Sequence, residues 1–323
     1  MRLKIPRQME NLMSIKAMKF LYLMAAWLCG PLLAQAQDPA PREILENLNL
    51  EAAKAAGWLK PGGGDRLFYF PTFDEPNTPK DWGYRFREVK IPSKGGATLH
   101  GWLIAPKNPD KAKGTVVFSH GNAGAIGHHL GFAMWFAEAG YELLLYDYRG
   151  FGKSTGTIDR RGLVEDAHAA LEFIAKRNQA SGLPVISFGH SLGGAKSIAA
   201  LAESPIDAVR AVIVDGTFAS YQAMARVVAG QLGESIVTDN LAPKGAIAKL
   251  SPMPVLIVHG TRDEVVPISQ GKELFKRAKQ PKTLFEVQDG RHGTSLSRNN
   301  GEYRKKVLEW IDEVLAKDAA VQR

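Results

Sequence analysis

Apolar and polar positions follow two rhythms along most of this chain. At 86–91 and 98–104 they alternate one for one, which suits a pair of antiparallel strands with one covered face. Six continuous apolar runs follow, at 115–119, 141–146, 183–188, 209–214, 254–258 and 283–287. Each gives way to a glycine-containing segment: His120-Gly121, Asp147-Tyr148-Arg149-Gly150, Gly189, Asp215-Gly216, His259-Gly260 and Asp289-Gly290. Helical spacing fills the gaps, at 127–139, 162–178, 192–203, 268–278 and 302–317, and a further helix is expected at 221–231. In the 302–317 segment Val307, Leu308, Ile311, Val314 and Leu315 fall on one face. Unbroken apolar runs alternating with helices predict an α/β domain, a mostly parallel eight-stranded sheet with crossover helices on both faces. Ligands of such sheets sit beyond the carboxyl ends of the strands, so the polar residues at the run ends are the candidate site.

The first 36 residues follow neither rhythm. Lys16 and Lys19 precede an uncharged apolar run at 20–34, and Ala34-Gln35-Ala36 follows it. A positive flank, a short apolar core and a small-x-small site make a signal peptide and imply export to the periplasm or medium. The run is 15 residues, roughly 22 Å of helix against a bilayer core of ~30 Å, so a membrane anchor is the weaker alternative. Met13 and Met18 are alternative starts. Residues 37–84, rich in Pro and Gly around a short helical stretch at 42–56, are expected to lie as an extension on the domain, which fills 85–323 with a small cap at about 216–250.

Composition narrows the class. The 323 residues are 45% hydrophobic and 23% charged, which excludes a disordered tail or a polytopic membrane protein. A single cysteine, Cys29, excludes a disulfide scaffold and cysteine-based zinc sites. The net charge of +8 invites a nucleic-acid reading. Five basic residues and one acidic residue fall in the leader, however, and the +4 that remains is spread along the chain without a basic stripe. No nucleic-acid partner is expected, and the expected partner is a small or acylated substrate. The sequence leaves the oligomeric state undecided.

The pattern G-x-S-x-G occurs at 152–156 and at 189–193. A nucleophilic serine needs a strand before it and a helix directly after it, so that its oxygen stands above the sheet on a sharp turn. Ser191 meets that condition. Ser154 precedes a loop, and the Gly152-Lys153-Ser154 segment lacks the glycines that either nucleotide-binding motif requires. A serine hydroxyl needs a base, and the base an orienting acid. His292, in the loop after the last apolar run, is the expected base, and Asp263 the expected acid, with Glu264 and Asp215 as alternatives. His120, Gly121 and His190 are expected to support the site. The paired histidines 128 and 129 lack a third ligand nearby in sequence, and no metal or cofactor is expected. Oxyanion donors are assigned to the backbone N–H groups of Leu192 and Asn122, with Gly121 as the alternative to Asn122.

These segments resemble the α/β-hydrolase superfamily in residues and in order: Ser-His-Gly-Asn-Ala-Gly at 119–124, Tyr-Asp-Tyr-Arg-Gly-Phe-Gly-Lys-Ser at 146–154, Gly-His-Ser-Leu-Gly-Gly at 189–194, His-Gly-Thr-Arg-Asp-Glu-Val-Val-Pro at 259–267 and Gly-Arg-His-Gly at 290–293. The first loop looks most like the small-lidded branch that includes depalmitoylase-like and serine-aminopeptidase-like proteins. The resemblance implies a cofactor-free serine hydrolase of esters or thioesters with Ser191, Asp263 and His292 as triad. A peptidase or amidase is the alternative, and a silent hydrolase-fold binding protein the third reading. Arg291 departs from the glycine that relatives often carry before the histidine.

Overall fold

The computed structural model describes residue 65 and residues 68–321. The expected leader, Cys29 and the helical stretch expected at 42–56 lie outside the described residues. Among the described residues ten strands form: β1 (Phe70–Pro71), β2 (Phe86–Pro92), β3 (Thr98–Ile104), β4 (Thr115–Ser119), β5 (Ala123–Gly124), β6 (Glu142–Tyr146), β7 (Val185–His190), β8 (Val209–Asp215), β9 (Val255–Gly260) and β10 (Lys282–Val287). Eight of them make one sheet in the order β10-β9-β8-β7-β4-β6-β3-β2. Its pairings are parallel except those of β2 with β3 and β3 with β6. This is the architecture expected from the apolar runs. The short pair β1–β5 is an addition that the hydrophobic pattern did not announce.

The period-two side-chain alternation of each strand divides the core into two layers. Val116, Phe118, Leu143, Leu145, Ile186, Phe188, Ile213 and Val258 face α1 (Ile126–Glu138) and α7 (Arg298–Val321). Val117, Leu144, Val185, Val212, Val214 and Ile257 face the other way, towards α2 (Arg160–Asn178), α3 (Leu192–Glu203), α4 (Tyr221–Ile236) and α6 (Ile268–Arg277). α4 belongs to this second layer through Tyr221, Met224 and Ala225, all buried. Between α4 and β9 the chain forms one short helical segment, α5 (Pro243–Ala246), and a 3-10 turn.

From β4 the chain crosses through α1 to β6, then returns through α2 to β7 on the opposite side of β4. The order therefore reverses at β4, and the loops after β4 and β7 open side by side. Register sets the other loops level with them: Ser119 pairs Gly189, His190 pairs Asp215, and Val287 pairs Gly260. The loop after β6 is anchored from below. Arg149 is buried and donates from Nε and Nη2 to Asp166 at 2.9–3.1 Å.

Candidate active site

Ser191 stands between β7 and α3 with φ 53° and ψ −116°. A non-glycine residue there is strained, and it persists because its surroundings over-determine it. The Ser191 N–H donates to the Asp215 carbonyl at 2.8 Å, and the Thr217 hydroxyl donates to the Ser191 carbonyl at 3.1 Å. Glycines let the helix crowd in behind. A Cβ on Gly193 would overlap the Ser119 carbonyl and come within 2.7 Å of the His120 carbonyl. A Cβ on Gly189 would lie 2.6 Å from the carbonyl carbon of Gly193. The Ser191 side chain makes no capping bond to α3, so its hydroxyl is left to other partners.

His292 and Asp263 meet above β8 and β9. The His292 Nδ1–H donates to Asp263 Oδ2 at 2.9 Å, which leaves the Nε2 lone pair free. The other carboxylate oxygen accepts from the N–H groups of Val265 (3.0 Å) and Val266 (2.8 Å). Burial alone would raise the Asp263 carboxyl; the hydrogen bond and charge of His292, together with the Val266 N–H, outweigh it and hold the acid below the ordinary carboxylate range. Gly216, at φ 59°, lies under the pair. A Cβ there would meet the His292 ring at 3.2 Å and Asp263 Oδ2 at 3.3 Å. The same turn, Asp215 to Thr217, holds Ser191 by its backbone. Ser191, His292 and Asp263 thus share one scaffold.

The loop after β4 faces the serine. A Cβ on Gly121 would lie 3.9 Å from Ser191 Cβ. The His120 Nδ1–H donates to the Gly121 carbonyl at 2.8 Å. Because the peptide is planar and trans, this turns the Asn122 N–H to the side opposite that imidazole. The Asn122 carbonyl accepts from Phe70 of β1 at 2.8 Å, so the small sheet clamps the loop. Leu192 opens α3, and first-turn N–H groups have no partner within their helix. His190 packs between Phe132 and His292, with ring centroids 4.5 and 4.8 Å away, and its Nδ1 lies 3.2 Å from Asp215 Oδ2. Sequence reading placed His190 in support without finding this acid partner, which lies 25 residues on. Glu264 is exposed. Ser154 is used by the fold: its hydroxyl donates to the Asp147 carbonyl (2.7 Å) and accepts from the His100 N–H (2.8 Å). His128 accepts the Ala125 N–H at 3.2 Å, and His129 donates to the Ala123 carbonyl at 2.7 Å.

Comparison with known proteins agrees with this fold. YfhR, an uncharacterized protein of Escherichia coli K12, is 33% identical over 257 residues, covering 79% of this chain and 89% of YfhR. The chain belongs to the α/β-hydrolase superfamily, among the YfhR and Bem46 homologues. Bem46 of Schizosaccharomyces pombe is 31% identical over 222 residues, covering 67% of this chain and 74% of Bem46. A family model described as serine aminopeptidase, S33, matches residues 110–252 of this hydrolase. Among solved structures, the Pyrococcus furiosus esterase Pf2001 superposes with a TM-score of 0.64 at 19% identity, over 76% of the hydrolase and 98% of the esterase.

The buried imidazoles give the hydrolase an acid limit. Burial pushes His120 and His259 below the ordinary histidine range and His129 down to about 4. His259 donates from Nε2 to the Val266 carbonyl at 2.8 Å and sits 3.6 Å from Asp263, so it props the acid loop in its neutral form. Unfolded histidines take up protons near pH 6.5, which these three resist while folded. Their contribution is therefore complete above about pH 6.5 and is lost as pH falls towards each folded value, at about 1.4 kcal/mol per pH unit for each group. A melting series from pH 7.5 to 4.5 should show a steep loss of Tm below pH 6.5. A constant Tm across that range would contradict neutral burial.

Proposed function

We propose that this hydrolase cleaves carboxylic ester or thioester bonds through an acyl-enzyme on Ser191. The observation that carries the reading is the Asp263–His292 pair at 2.9 Å, on the same turn that holds the strained Ser191. In the proposed cycle the Ser191 oxygen attacks the acyl carbon while His292 Nε2 takes its proton. Asp263 holds the imidazole tautomer and stabilises the imidazolium. Charge growing on the carbonyl oxygen is met by the N–H groups of Asn122 and Leu192. His292 then protonates the leaving oxygen or sulfur, and water repeats the sequence on the acyl group. Asp215, the alternative acid, is engaged with His190 instead.

The match to the serine aminopeptidase model favours amide cleavage as a second reading. A panel of p-nitrophenyl esters, acyl thioesters and aminoacyl anilides separates the two. Turnover of esters or thioesters at least ~100-fold faster than anilides is the expected result. Anilide turnover in the absence of ester turnover would replace the esterase reading with the peptidase one. Export rests on the leader at 1–36, and recovery outside the cytoplasm of a chain beginning at Gln37 would support it.

A further inference from the structure

A second group of polar side chains is buried where the N-terminal segment, β3 and the end of β6 converge. Glu75 lies on the segment after β1, His100 within β3, and Asp147 directly after β6. The His100 side chain is 8% exposed, that of Asp147 0% and that of Glu75 15%. His100 Nδ1 stands 3.6 Å from Glu75 Oε1 and 3.7 Å from Asp147 Oδ2, and all three atoms lie within 4.8 Å of one another. None of the three has a hydrogen-bond partner among the described residues. Buried polar atoms are almost always bonded, so three that converge on one point require a common partner.

The second oxygens of the two carboxylates are held from outside. Asp147 Oδ1 accepts the Ile126 N–H at 2.9 Å. Glu75 Oε2 is paired with Lys153 Nζ at 2.6 Å. Glu88 Oε1 stands 3.6 Å from His100 Nε2. Each carboxylate is thus fixed by one oxygen and presents the other inward, as outer groups orient metal ligands, while Glu88 stands on the far side of the imidazole beyond hydrogen-bond reach of Nε2. Glu75 and Asp147 both face Nδ1 of the ring, and of these two carboxylates only Glu75 is paired with Lys153.

We infer that Glu75, His100 and Asp147 form a binding site for one divalent transition-metal ion of the zinc class. The donor set selects the class: Ca²⁺ and Mg²⁺ take oxygen ligands, whereas an imidazole with carboxylates suits Zn²⁺ and its neighbours. Zinc bonds of ~2.0–2.2 Å in a tetrahedral site set ligand atoms about 3.4 Å apart, close to the two edges of 3.6 and 3.7 Å that meet at His100, with water as fourth ligand. The ion would tie the segment carrying Glu75 to the main sheet. That segment packs closely already, since a Cβ on Gly127 would come within 2.8 Å of the Asn77 carbonyl. The site is structural and lies behind the oxyanion loop: Asp147 Oδ1 is 3.7 Å from His120 Nε2.

The test uses the full chain, stripped with a chelator and desalted, then titrated with ZnCl₂ by calorimetry and followed by thermal melting. One Zn²⁺ per chain should bind, and Tm should rise by roughly 5–10 °C at a hundredfold excess over Kd. Ca²⁺ at the same concentration should leave Tm unmoved. Glu75→Gln and His100→Gln should each weaken Zn²⁺ binding at least tenfold and abolish the shift. Should the His100 variant fail to fold, Glu75→Gln, on the partly exposed segment, decides the matter alone. Absence of stoichiometric binding, an equal response to Ca²⁺, or unchanged affinity in Glu75→Gln would overturn the proposal and leave a bridging water as the common partner.

Discussion

Ser191→Ala is expected to lower kcat on p-nitrophenyl esters by at least ~10⁴-fold while leaving Tm within about 2 °C of wild type. The two halves of this expectation have separate causes. The hydroxyl makes no capping bond to α3, so the fold loses nothing by its removal. Relief of the strained φ at 191 is not on offer either, because alanine keeps the Cβ and the Asp215 and Thr217 bonds hold the backbone. Chemistry, by contrast, loses the atom that forms the acyl bond in the proposed cycle. Members of such a triad act as a unit, and what survives loss of one is the background supplied by oxyanion donors and binding. A residual rate within tenfold of wild type would mean that another group carries the acyl intermediate.

Gly193→Ala should give the largest loss of stability for a single methyl. The new Cβ would collide with the carbonyl of Ser119, a residue in register with both neighbouring strands at the end of β4, and with that of His120. Ser119 cannot step aside, because β4 is paired on both edges, and the His120 carbonyl is held by the Tyr148 hydroxyl at 3.2 Å. The helix must therefore withdraw from the sheet, and Leu192 with it. A loss of at least ~3 kcal/mol is expected, a fall in Tm of roughly 6–12 °C. Moving Leu192, one of the two proposed oxyanion donors, is expected to add a ~10²–10³-fold reduction in kcat on whatever remains folded. Thermal melting beside ester kinetics checks both. A variant with wild-type Tm would show that α3 does not pack on β4 at this distance.

How much of this was legible in the sequence depended on the range of the signal. All eight main-sheet strands lie within two residues of the two alternating stretches and the six apolar runs, because a strand covered on one face alternates and one covered on both is apolar throughout, with a glycine in the loop that follows. The β1–β5 pair has two residues a side and no room for a period. The right-handed part of the last helix begins at 302, where the spacing put it; the left-handed turns at Asn299, Asn300 and Gly301 that lead into it are not encoded by hydrophobic spacing. Ser191, Asp263 and His292 could be proposed because each sits in a local strand-to-loop pattern. The Glu75–His100–Asp147 cluster could not. Its members are 25 and 47 residues apart on three different elements, and only the stacking of β6 beside β3 and the return of the N-terminal segment join them. His120 lay between these cases: its place before a glycine was visible, but its bond to the Gly121 carbonyl needed the loop geometry.

The central claim is that Ser191 carries the acyl group, and covalent trapping tests it most directly. The wild-type chain and Ser191→Ala are treated with a fluorophosphonate, digested and mapped by mass spectrometry. The account predicts a single phosphonyl adduct on the peptide bearing Gly189-His190-Ser191-Leu192-Gly193, absent from the variant. An adduct on Ser154, or labelling that persists in Ser191→Ala, would contradict it.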